Sequence, residues 1–178
     1  MKIFKIIIPI IILIIVIYFI YKLIFPSSSY IFNCNQYVFM NEYNNEQFNY
    51  TFYPNEFLFK NNESIINLSI AERHDSTIIV EKIMRYKDEV NIVINSKTQW
   101  RFKNGKCLTN YQINSDGSVS TVMKNIMLLN SDGKEIPYNQ YSTESDRLFI
   151  SFGKELLNSN DKFILTFQGF NVLTYKRK

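Results

Sequence analysis

Histidine is nearly absent from this sequence: the only one is His74, inside "AERHDST". Any Ser-His-Asp or Cys-His arrangement would have to use it. Its charged, turn-like neighbours mark an exposed loop, and no G-x-S-x-G elbow accompanies it. Cysteine is almost as scarce. Cys34 and Cys107, scattered with that one histidine, fall short of a zinc ligand set. Five glycines leave no room for a phosphate-cradling loop, and no cofactor is expected. Nor is there an excess of positive charge to grip nucleic acid. Three of the 20 Lys and Arg (Lys2, Lys5 and Lys22) belong to the opening segment and none of the 16 acids does, so the remainder is close to neutral. The one local run, Lys176-Arg177-Lys178, reads as a solvated tail, with anionic lipid or a partner as the lesser alternative. Paired carboxylates of the glycosidase kind leave no signature in sequence spacing, and Asp88-Glu89 reads as a turn.

What is abundant sits first at the start. "IIIPIIILIIVIYFI", residues 6 to 20, carries no charge, and from Ile3 to Phe25 only Lys5 and Lys22 do. At 1.5 Å per residue that stretch reaches roughly 34 Å, enough for a bilayer core. Tyr18 and Tyr21 stand near its outer end, where amphipathic rings favour the lipid–water boundary. A cleaved signal peptide is the alternative, but no Ala-x-Ala site follows; Ser27-Ser28-Ser29 is the best substitute. Residues 1–25 are therefore expected to be a transmembrane signal-anchor and 26–35 a linker. Positive groups before the segment place the N-terminus in the cytoplasm and residues 36–178 outside it, in periplasm, cell surface or lumen. In such a compartment the two cysteines, Cys34 and Cys107, are expected to form one disulfide, closing a loop worth about 4 kcal/mol in the chain-entropy account.

After residue 36 the pattern has period two. Phe48, Tyr50 and Phe52 share one face, and "STIIVEKI", "EVNIVI", "TQWRF", "RLFISF" and "KFILTF" are short runs rich in branched and aromatic residues. The turn segments "YPNE", "RHDS", "YKDE", "KNGK", "NSDG" and "NSND" separate them. This predicts an all-β domain, an antiparallel β-sandwich or partly open barrel. "GKELLN", 153 to 158, reads as one helical turn. The Trp and Tyr spacing of an immunoglobulin domain is missing, since Trp100 lies just before Cys107 and Gly105 holds the tyrosine position.

"NSDG" occurs at 114–117 and again at 130–133. A calcium loop would need further acids and a closing glutamate, which neither copy has. Tight turns are the better reading, within a meander around 108 to 140. Three N-x-S/T triplets, at Asn49, Asn62 and Asn67, are what chance gives in a chain this rich in asparagine.

Nine of the 23 residues from Tyr37 to Phe59 are Tyr or Phe. They read chiefly as core, with Tyr43 and Tyr50 as the candidates for a ligand surface. The functional expectation is a single-pass, non-catalytic, membrane-anchored domain that engages partner proteins or serves envelope assembly. The alternatives are a barrel or sandwich holding a lipid or other small apolar ligand, and then a carboxylate-based hydrolase.

Overall fold

The computed structural model describes residues 2–24, 26–34, 36–42, 46–122, 125–144 and 146–178, the side chains of 2–6 and 22–24 excepted. Helix α1 (Lys2–Ile24) is followed by the short α2 (Ser28–Asn33). The strands are β1 (Tyr37–Glu42), β2 (Phe48–Phe52), β3 (Glu63–Arg73), β4 (Ser76–Arg85), β5 (Glu89–Thr98), β6 (Asn104–Thr109) and β7 (Tyr111–Ile113). Then come β8 (Val119–Thr121), β9 (Asn125–Leu129), β10 (Glu135–Ile136), β11 (Gln140–Glu144), β12 (Arg147–Gly153), β13 (Phe163–Gln168) and β14 (Asn171–Arg177). Among the described residues all strand pairs are antiparallel and fall into four sheets: β11-β12-β5-β4-β3, β10-β9-β13-β2, β1-β14-β6 and β7-β8. Among the described residues the protein is all-β apart from its first 33 residues and two 3₁₀ turns, one of them at Lys154–Asn158 where a helical turn was expected.

Alternation builds the main core. In the five-stranded sheet Leu148 faces Ile94, Ile150 faces Ile92 and Phe152 faces Val90, all buried. In the four-stranded sheet Phe163, Leu165 and Phe167 face Phe52, Tyr50 and Phe48. Both sets belong to one hydrophobic cluster, so the two sheets bury their apolar faces together. Inward residues on β4 change parity, from Ile78 and Val80 to Ile83. A bulge between Val80 and Lys82 shifts the register and keeps the apolar residues inside. Its extra residue, Glu81, accepts two bonds from Arg147 (2.8 and 2.9 Å) and one from Asn95 (2.9 Å). β3, at the edge, carries two such irregularities and leaves Ile65 and Leu68 exposed.

The turns follow their residues. Asn61 and Asn62 have φ of 52° and 65°, and Lys60 and Glu63 exchange both backbone bonds across them. His74 occupies the β3–β4 turn, exposed, with φ of 56°. Both "NSDG" segments close hairpins of one design. Gly117 N–H and Gly133 N–H donate to Asn114 and Asn130 carbonyls, and each glycine takes a positive φ (83° and 75°). The two hairpins lie in different sheets, β7-β8 and β9-β10, rather than in one meander.

Four expectations need correction. "TQWRF" is not a strand: β5 ends at Thr98, and Arg101 N–H donates to the Tyr175 hydroxyl (2.6 Å) instead of to a ladder. "KNGK" is not a turn, because Asn104 already opens β6. Gly105 is needed there for another reason: a Cβ would come within 2.7 Å of the Tyr175 Cζ. The Cys34–Cys107 disulfide is not formed, and both thiols are free. Cys107 is buried with its Sγ 3.6 Å from the Leu173 carbonyl, while Cys34 caps the end of α2. Finally, among the described residues no helix is long and apolar enough to cross a membrane, so the expected transmembrane span of residues 1–25 gains no support from the fold.

Candidate functional site

The stretch expected to be a linker contains α2, and α2 is seated on the domain. Ser27 caps it, its Oγ accepting from Tyr30 N–H (3.3 Å). Ile31, fully buried, anchors a second hydrophobic cluster with Tyr37, Trp100, Cys107, Leu173 and Tyr175. Phe32 packs on its edge, stacked on Phe39 (centroids 5.2 Å apart, 17° between planes) and edge-on to Trp100 (5.2 Å) and Tyr111 (6.0 Å). Two of the tyrosine hydroxyls are engaged: Tyr37 donates to the Phe102 carbonyl (2.6 Å) and Tyr175 accepts from Arg101 N–H (2.6 Å). This foot of the domain lies close to α1, since the four steps from Ile24 to Ser28 span at most about 14 Å.

Beside α2 opens a cleft of about 550 Å³. Its apolar walls are Phe32, Phe39, Tyr111, Ile113 and Val119, and among the described residues Asp146 is the one charged residue lining it. The β7-β8 hairpin is held against β1 by Asn41, whose amide donates to the Ile113 carbonyl (2.5 Å) and accepts from Ile113 N–H (3.1 Å). Burial raises the Asp146 carboxyl above its usual range. It also raises the Tyr111 hydroxyl, with the Asp146 charge adding to the effect, and pushes the Cys107 thiol up to about 12. At neutral pH the cleft therefore holds a neutral tyrosine hydroxyl beside one carboxyl drawn partly out of water, and the neutral Cys107 thiol lies buried in the foot cluster.

Two other hollows are less suited to a ligand. One of about 470 Å³ is lined by His74, Arg101 and Lys106, but Arg101 is engaged with Asp75 (2.6 Å) and Lys106 with Glu42 (2.9 Å). The other, of about 240 Å³, brings Glu155 and Asp161 to one rim, both open to solvent.

Tyr50 is 4% exposed and stacked on Phe52 (5.1 Å) in the main core, where burial pushes its hydroxyl up to about 12. Tyr43 lies outside the described residues. Cys34 and Cys107 meet in the foot cluster without bonding. Sequence reasoning does not single out Phe32, Phe39, Tyr111, Val119 or Asp146, because they come from five separate segments. Only the aromatic density from Tyr37 onward, which includes Phe39, carried part of the signal.

The chain thus falls in the class of all-β proteins with several antiparallel sheets, here with a cleft between a short helix and a hairpin. Comparison with protein families, with curated proteins and with solved structures finds no match.

Proposed function

We propose that this is a single-pass, membrane-tethered, non-catalytic protein that presents a β-sandwich domain, through its foot cleft, to partner proteins outside the cytoplasm. One observation carries the reading. Every apolar side chain of α1 from Ile7 to Tyr21, Pro9 aside, is 44 to 61% exposed, on all faces of the helix. A helix apolar all round needs an apolar surrounding, and over its full 23 residues α1 reaches about 34 Å. The chain then seats Ile31 in the domain within a few residues, so the foot is held near the membrane surface.

The test is extraction of the full chain from its own membranes. It is expected to stay sedimented through alkaline carbonate, and protease added from outside is expected to leave only a peptide of the α1 region. Release by carbonate, or a domain protected from external protease, would overturn the reading. The cleft also supports a second reading, a small apolar ligand, because its volume and five apolar walls fall within the usual range for such sites. A ligand retained through purification and seen by native mass spectrometry would favour that one.

A further inference from the structure

We infer that the foot cleft binds the cationic side chain of a partner polypeptide, a lysine or arginine set between the Asp146 carboxylate and the rings of Phe32, Phe39 and Tyr111. The inference names the partner's chemistry and so rests on the interaction reading above. It starts from a contrast among the acids. Glu42, Glu46, Glu63, Asp75 and Glu81 each meet a lysine or arginine at 2.6 to 2.9 Å. Most of those pairs lie at the surface, where water would have solvated the carboxylates anyway. Asp146, drawn out of water at the cleft, meets no cation among the described residues. A half-desolvated carboxylate facing apolar walls is costly to the folded protein, and a bound cation offsets that cost.

The walls suit the same guest. Aromatic ring faces carry negative charge density and attract ammonium or guanidinium groups. This chain uses that contact elsewhere, with Arg85 over Phe59 (4.8 Å) and Arg177 over Phe102 (4.6 Å). Phe32 and Phe39 are already stacked, so one wall is built before any ligand arrives. An anion would be repelled by Asp146, and a wholly apolar guest would bury the carboxylate further with nothing to pair it. A polypeptide is favoured over a free amine by the cleft's lip. Val119 lines the cleft and is 62% exposed, an apolar landing that a neighbouring residue of a chain would cover.

Trp100, the sole tryptophan, packs against Phe32 and reports on the foot. The experiment titrates the full-length protein, in an uncharged detergent, with acetyl-Leu-Lys-Leu-amide while following Trp100 emission. A saturable change is expected. Acetylating the peptide's lysine, or substituting Asp146→Asn, is expected to weaken it at least about tenfold, since each removes one partner of a charged pair. Asp146→Asn is also expected to melt no lower than the native chain, so loss of binding cannot be laid to unfolding. Equal binding of the acetylated peptide, or by Asp146→Asn, would overturn the inference. So would no saturable response, or butylammonium binding as well as the peptide, which would make the site one for free amines. Carbonate extraction does not depend on this titration. A protein that stays in the membrane but ignores the peptide refutes the cation site alone, and one that binds the peptide but is released by carbonate refutes the tether alone.

Discussion

The core between the two large sheets and the core at the foot are made of different materials. The first is a ladder of Ile, Val, Leu and Phe from strands that repeat one pattern: Leu148, Ile150 and Phe152 against Ile94, Ile92 and Val90. The second gathers single residues from α2, β1, the segment around Trp100, β6 and β14, and most of them are rings with polar tips or a thiol. Regular burial gives the first its stability, because each strand adds several apolar side chains in register. The second depends on individual fits, such as the Tyr37 and Tyr175 hydroxyls that satisfy or use backbone groups of the 99–103 segment. The difference explains why the foot leaves a larger cleft than the main core does. Ladders of strands close their own gaps, whereas a six-residue helix packed on the residues of the β1-β14-β6 sheet cannot.

Four substitutions test this contrast, beginning with the largest effect. Phe152→Ala empties a fully buried site between the large sheets and is expected to cost about 3–5 kcal/mol in a denaturant melt, lowering the transition of the whole domain. Ile31→Ala is expected to cost about 2–5 kcal/mol at most. Its signature should be local: Trp100 emission shifts toward that of a solvated indole and the peptide response is lost, while the β-sheet circular dichroism persists. If Ile31→Ala instead unfolds both cores together, the foot is not a separate unit. Gly105→Ala forces a methyl against the buried Tyr175 ring and is expected to cost about 1–3 kcal/mol, again read at Trp100. Smallest is Asp146→Asn, whose effect depends on pH. Because burial raises the folded carboxyl above its unfolded value near 3.8, Asp146 costs nothing below that value, and its penalty grows as pH rises through the folded one. Tyr111 and Cys107, the other titrating groups beside it, stay neutral across this range. The melting temperature of Asp146→Asn should therefore match the native one in acid and exceed it at neutral pH. A variant melting lower at neutral pH would mean that Asp146 supports the fold instead of burdening it.

The strands from 76 to 98 and from 147 to 168 were legible because period-two alternation is a local property, and burial on one face follows from it. The same holds for the two "NSDG" turns, where Gly117 and Gly133 supply positive φ whatever surrounds them. "TQWRF" misled because its apolar residues alternate as a strand's do, yet Tyr175 takes the backbone donor that a ladder would have used. α2 was not legible, since six residues, "SSYIFN", are too few for a helical period to show.

By itself the sequence determined the class: an apolar helical start, an antiparallel β-domain, and the poverty of histidine and glycine that narrows its chemistry. Tertiary structure decided the rest. It kept Cys34 and Cys107 as free thiols in one cluster, put Tyr50 in the core, and brought Phe32, Phe39, Tyr111, Val119 and Asp146 from five segments to one cleft. The physical reason is range. Alternation and turn chemistry act over two to four residues, whereas the environment of a carboxyl or thiol is set by whatever the fold stacks against it.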